Sequence, residues 1–149
     1  MGPKGLLVVF SCNHCPWVQR WEERIVALGN SYQAKGIAVV AVNSNDTAEY
    51  PDDDFEHMQA RAKEKGYAFP YVVDATSDVA RAFGASKTPE AFLFDAAGRL
   101  VYTGTIDDNA KDAAAVTATY LKDALEAVAS GGAVPMAKTK ALGCSIKFR

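Results

Sequence analysis

The five residues Leu6-Leu7-Val8-Val9-Phe10 form an unbroken apolar run with branched residues at its centre. A run apolar at every position, not at alternate ones, predicts a strand buried on both faces. Over residues 16–35 the period changes: Val18, Trp21, Ile25, Leu28 and Tyr32 recur at helical spacing, Pro16 suits a first turn and Gly36 a stop. Ile37-Ala38-Val39-Val40-Ala41-Val42 is a second buried strand, closed by the turn-rich Asn43-Ser44-Asn45-Asp46. Such a β-α-β unit crosses over right-handed between parallel strands, which lays the helix on one face of the sheet.

A second helix is expected from about Asp52, its acidic start Asp52-Asp53-Asp54 and basic end Arg61, Lys63 and Lys65 both complementing the helix dipole, with Gly66 ending it. The triplet therefore reads as a capping feature before a metal site. Tyr71-Val72-Val73 is a short strand, and residues 77–83 a short helix that Ser77 caps and Gly84 ends. Strands at 91–94 and 100–103, joined by Ala96-Ala97-Gly98-Arg99, read as an antiparallel hairpin. A final amphipathic helix over 112–130 presents Ala113, Val116, Tyr120, Leu121, Ala124 and Val128 on one face. The predicted order is β-α-β-α-β-α-β-β-α.

The 149 residues, 49% apolar and 23% charged, suit one domain with a substantial core. With 16 basic and 18 acidic side chains the net charge is only −2, which argues against a phosphate-binding nucleic-acid protein. No run approaches the apolar length of a membrane span, and no signal-peptide pattern precedes the first strand, so the expectation is a cytoplasmic chain. The charge is unevenly spread. Residues 131–149 carry Lys138, Lys140, Lys147 and Arg149 and no acid, which leaves 12 bases and 18 acids, or −6, for residues 1–130. The expected organisation is a domain over 1–130 and a basic tail over 131–149, joined at Gly131-Gly132 and docked through Ile146 and Phe148.

Three cysteines are too few for a disulfide framework, and the Cys12-x-x-Cys15 pair points to redox chemistry or metal. The pair lies where a buried strand turns into a helix. Free N–H groups and the positive end of the helix dipole at that point favour a thiolate, so Cys12 is expected to have a lowered pKa and act as nucleophile. Cys15, one turn further in, is the expected resolving thiol. His14 between them would stabilise the reduced pair and raise its potential above the roughly −270 mV of thioredoxin toward the roughly −180 mV of protein disulfide isomerase. Trp17 and Trp21 read as packing residues, with Trp17 near enough to Cys15 to sense its redox state.

Phe10-Ser11-Cys12-Asn13-His14-Cys15-Pro16, Asn43-Ser44-Asn45-Asp46, Phe69-Pro70-Tyr71, Thr88-Pro89-Glu90, Phe92-Leu93-Phe94-Asp95, Ile106-Asp107-Asp108 and Gly143-Cys144-Ser145-Ile146-Lys147 together resemble the thioredoxin-like superfamily, in its peroxiredoxin-like branch of bacterial redoxins (AhpC/TSA-related). The resemblance implies an α/β fold with a central mixed sheet flanked by helices. It further implies a cis Thr88–Pro89 peptide facing the cysteines, with Thr88, Pro89 and Trp17 contacting substrate. The chain departs from that pattern in starting almost at its first strand. Lys87 stands where many relatives have a cysteine and would bring a cation to Cys12. Leu6 replaces the buried aspartate of thioredoxin, so proton transfer to Cys15 falls to Glu90 or water.

These features predict a thiol–disulfide oxidoreductase without a dissociable cofactor, acting on disulfide-bearing or dithiol proteins and recycled by thioredoxin or glutathione. One alternative is a thiol-dependent peroxidase with Cys12 or Cys15 as the peroxidatic cysteine. Against it, Val9 stands three residues before Cys12, and Cys12 three before Cys15, where a peroxide site needs Thr or Ser. A second alternative is a metal-binding module drawing on Cys12, Cys15, His14 or His57, and Cys144; it has one short-spaced couple where structural zinc normally uses two. Cys144 itself is open between a buried apolar residue, a third redox thiol and an intermolecular bridge.

Overall fold

The structure, a computed structural model, describes residues 2–149. Strand β1 (Gly5–Phe10) is central and pairs in parallel with β2 (Ile37–Asn43), which pairs in parallel with β3 (Tyr71–Val73). On its other side β1 runs antiparallel to β5 (Glu90–Asp95), followed by β6 (Leu100–Gly104), giving the order β3-β2-β1-β5-β6. The sheet is mixed and α/β, as the sequence pattern predicts.

Why β1 is apolar throughout is visible in its two faces. Leu7 and Val9 point into one core with Trp21, Ile25 and Tyr32 of α1 (Pro16–Gln33) and with Leu121, Ala124 and Leu125 of the last helix. Val8 and Phe10 enter a second core with Val42, Phe92, Ala80 and Ile146. Two further helices, α2 (Phe55–Lys65) and α3 (Asp78–Phe83), follow β2 and β3, and α4 (Tyr120–Ser130) follows β6. Among the described residues no helix is long and apolar enough to cross a membrane.

Polar ties fix α1. Trp21 is fully buried and donates its indole N–H to Asp107 Oδ1 at 2.8 Å, while Arg24 bonds the other Asp107 oxygen at 2.7 Å. On the opposite side the buried Glu22 accepts from Arg61 Nε and Nη2 (2.7 and 2.8 Å) and from the Tyr67 hydroxyl (2.9 Å), which joins α1 to α2. A buried carboxylate is tolerable only when paired in this way.

Three elements differ from their predicted bounds. The last helix starts at Tyr120, with only a short 3-10 turn at Ala113–Ala115, because Asp108 Oδ1 accepts from Thr117 N–H at 2.9 Å and the Asp108 N–H donates to Ala118 O at 3.2 Å. The acidic triplet is divided: Pro51–Asp53 is a 3-10 turn and only Asp54 caps α2, accepting from His57 N–H at 2.9 Å. Ser77, at φ 62°, does not cap α3 with its side chain, whose hydroxyl instead donates to Ser44 O at 2.8 Å.

Residues 131–149 run across the domain. Thr103 donates to Ala137 O and accepts from Thr139 N–H, both at 3.0 Å, so the segment adds to the β6 edge. It approaches so closely that Gly104, at φ 141°, has no room for a Cβ against the Thr139 backbone. Further on, β7 (Cys144–Ser145) pairs antiparallel with the short β4 (Lys87–Thr88), and Ile146 fills the second core. Lys147 N–H donates to Asn45 Oδ1 at 2.8 Å, and Arg149 faces Asp46 at 3.6 Å.

Candidate redox site

The chain leaves β1 at Phe10, is held by Ser11 N–H to Val42 O at 2.8 Å, and re-forms as helix at Pro16, with Cys15 as the N-cap. This places Cys12 and Cys15 in one small apolar cluster with Val18, against which Trp17 and Cys144 pack. Thr88 lies at its centre. The Thr88 hydroxyl is 3.6 Å from Cys12 Sγ, the Thr88 carbonyl oxygen is 3.5 Å from Cys15 Sγ, and Cys144 is the register partner of Thr88 across β4 and β7. The Thr88–Pro89 peptide is cis.

The oxidised pair is Cys15–Cys144, with Cα atoms 6.2 Å apart, and Cys12 is a free buried thiol. The Cys12–Cys15 bond suggested by their spacing is therefore not the one present, since β7 delivers the Cys144 sulfur to Cys15. Gly143 makes the approach possible, because a Cβ there would collide with the Thr88 carbonyl group.

Cys12 also differs electrostatically from expectation. Its pKa is pushed up to about 11, first by burial and then by the Asp53 carboxylate, and the hydrogen bonds from Thr88 and from the backbone of Cys15 and His14 do not offset these. The dipole argument omits desolvation, which here is larger. Lys87 does not supply the expected cation: its Nζ is 3.4 Å from Ser145 Oγ. Glu90 Oε1 accepts from Ser86 and Lys87 N–H (2.9 and 3.0 Å), so it braces the turn before Thr88. Trp17 is half-buried against the sulfur cluster, tilted on Trp21 at 5.8 Å.

Asp53 is the residue that sequence reasoning missed. It is fully buried, accepts from Asn13 N–H (2.7 Å), His14 N–H (3.2 Å) and Asn45 Nδ2 (3.0 Å), and its Oδ2 meets His14 Nδ1. Asn13 is held further by its amide to Asp52 O and by the Tyr71 hydroxyl, each at 2.9 Å. The His14 ring stacks parallel on Tyr50 at 5.7 Å. The His14 ring thus addresses Asp53, and what His14 offers the Cys12 thiol is its backbone N–H, not the imidazole charge expected from its place between the cysteines. Cys12, His14 and Asp53 bring donor atoms within 4.8 Å of one another and form the group that could hold a metal ion; His57, exposed and bonded to Asp54, is outside it.

Two outcomes follow for Cys12. Thiol alkylation of the folded protein should rise with pH to a midpoint near 11. Because the folded pKa lies above the ordinary thiol value, the unfolded chain loses this proton first, so stability falls as pH rises from about 9 to about 11. Asp53→Asn keeps an oxygen for the Asn13 and His14 amides but removes the charge, so the alkylation midpoint should move down. An unchanged midpoint in a folded Asp53→Asn protein would show that Cys12 does not feel the carboxylate.

A mixed five-stranded sheet, a dithiol at the start of the first helix and a cis-proline turn beside it define a thioredoxin-like protein. The fold superposes on a putative thioredoxin from Neisseria meningitidis with a TM-score of 0.58 and 28% identity, over 68% of this chain and 63% of that one. The chain belongs to the AhpC/TSA family, which matches residues 2–103. A hypothetical protein from Sinorhizobium meliloti 1021 is similar over almost the whole chain, at 40% identity and TM-score 0.92, covering 99% of this chain and 81% of its own. The thiol-disulfide oxidoreductase ResA of Halalkalibacterium halodurans is 28% identical over 102 residues, 68% of this chain and 54% of ResA. The chain thus spans about half the length of that curated relative.

Proposed function

We propose that the protein is a thiol–disulfide oxidoreductase working through Cys12 and Cys15. The observation that carries this reading is the gathering of three cysteines around Thr88, one pair oxidised and one thiol free. In the reduced chain the Cys12 thiolate attacks a partner disulfide and releases one partner thiolate. Cys15 then attacks Cys12 Sγ and expels the second. The partner gains two electrons and the chain is left with a Cys12–Cys15 disulfide. Thr88, Pro89 and Trp17 border the sulfurs and would present the substrate, while His14 with Asp53 sets the charge beside Cys12. Lys87 and Glu90 hold the supporting turn. We place the chain in the cytoplasm, with disulfide-bearing or dithiol proteins as substrates and thioredoxin or glutathione recycling it.

The AhpC/TSA match also fits a thiol-dependent peroxidase. A peroxide site needs Thr or Ser three residues before its cysteine, whereas Val9 precedes Cys12, and Cys12 precedes Cys15, at that spacing. A glutathione redox titration, acid-quenched and mapped by peptide mass, separates the two. A reversible two-electron transition within these cysteines is the expected result; hydroperoxide consumption with sulfenic acid on Cys12 and no such transition would replace this reading.

A further inference from the structure

The tail sulfur is the part of the centre that the two-cysteine reading leaves without work. Cys12 and Cys15 are 1% and 0% exposed, whereas Cys144 is half-buried and so the most exposed of the three cysteines. It is held in place by backbone and not only by its own bond: β7 pairs with β4, Ile146 N–H donates to Ser86 O at 2.9 Å, Ile146 is buried in the second core and Lys147 is tied to Asn45. Gly143 permits this approach and no larger residue would. A tail seated so specifically beside Cys15 supplies a positioned nucleophile.

We propose that Cys144 is a second resolving thiol, which takes the disulfide over from Cys12 and becomes the sulfur on which outside reductants act. The proposal rests on the reading of Cys12 and Cys15 as the working pair. In the Cys12–Cys15 disulfide the Cys144 thiolate attacks Cys15 Sγ; the Cys15–Cys144 bond forms, the Cys12–Cys15 bond breaks, and Cys12 leaves as a thiolate. The proton given up by Cys144 ends on Cys12, and the chain neither gains nor loses electrons. A reductant thiol attacks Cys144 Sγ, forms a mixed disulfide there and releases Cys15; a second reductant thiol frees Cys144. Substrate and reductant thus meet different sulfurs, Cys12 for one and Cys144 for the other.

The test mixes the fully reduced chain with oxidised glutathione, quenches with acid at intervals, alkylates and maps every disulfide. Wild type should show Cys12–Cys15 first, then its replacement by Cys15–Cys144 at constant total oxidation, while Cys144→Ser should stop at Cys12–Cys15. Gly143→Ala, which keeps all three thiols but obstructs β7, should slow the second stage on the order of tenfold or more and leave the first unchanged. Wild type halting at Cys12–Cys15, or Cys12→Ser forming Cys15–Cys144 as fast as wild type, would overturn the relay. If Cys144→Ser never closes Cys12–Cys15, the two-cysteine reading falls and the relay with it; if Cys144→Ser closes normally and wild type goes no further, the relay alone falls.

Discussion

Cys15→Ser should reduce disulfide turnover by a factor on the order of 10³ or more, a larger loss than removal of Cys144. Cys15 is the sulfur common to both pairings, the one with Cys144 in the structure and the one with Cys12 in the proposed cycle. Without Cys144 the Cys12–Cys15 couple survives, whereas without Cys15 neither disulfide can form as described. A Cys12 thiolate that has attacked a partner then has no neighbour to release it, so mixed disulfides should accumulate on Cys12. Cys12→Ser should likewise abolish turnover of external disulfides, but without the trapped adducts. Reduction of insulin disulfides, with mass analysis of the enzyme, reads both effects. Activity of Cys15→Ser within tenfold of wild type would refute the assigned mechanism.

Trp21→Ala should be strongly destabilising, costing about 3–5 kcal/mol and lowering the melting temperature by roughly 6–20 °C. The side chain, on α1, is fully buried in the larger core with residues of the sheet and of α4, so truncation leaves a cavity there. It also removes the indole N–H from Asp107, whose carboxylate then has Arg24 and the Asn109 N–H as its partners. Trp21→Phe separates the contributions, since it retains most of the packing and loses the N–H, and should cost about 1–3 kcal/mol. Thermal unfolding of the two variants beside wild type decides the matter. A Trp21→Phe loss equal to that of Trp21→Ala would place the stabilisation in the hydrogen bond and not in the packing.

How far the sequence exposed this arrangement depends on the range of the interactions involved. The β1 and α1 patterns were legible because every residue there obeys one local period, and the strand–helix junction carrying Cys12 and Cys15 follows from those two periods. The register of the tail was not. Cys144 meets Cys15 through the pairing of two two-residue strands and the tail contacts that follow them, and nothing in the local pattern around Gly143 signals that a carbonyl group will lie against it. Asp53 was hidden by its neighbours, since three consecutive aspartates look alike until a turn buries the middle one beneath residues 13 and 14. The overlong last helix arose because Ala113 to Val116 satisfy a helical face, while the competing bonds come from Asp108, earlier in the chain. Cys12 shows the same limit in energetic form: a helix start is readable from sequence, but the depth at which a thiol is buried is not.

The two alternative oxidised forms are also different polymers. A bond between residues 129 apart makes nearly the whole chain one covalent ring, whereas a Cys12–Cys15 bond closes only a small one. In chain-entropy terms the large ring disfavours the unfolded ensemble by about 5 kcal/mol and the small one by about 2 kcal/mol. Moving one disulfide by a single exchange would therefore change how readily the chain melts, by roughly 6–12 °C, without any change in its electron count. Reciprocally, loosening of the fold would make the large ring easier to reduce. The lifetime of the molecule under proteolysis would then record which sulfur last held the bond.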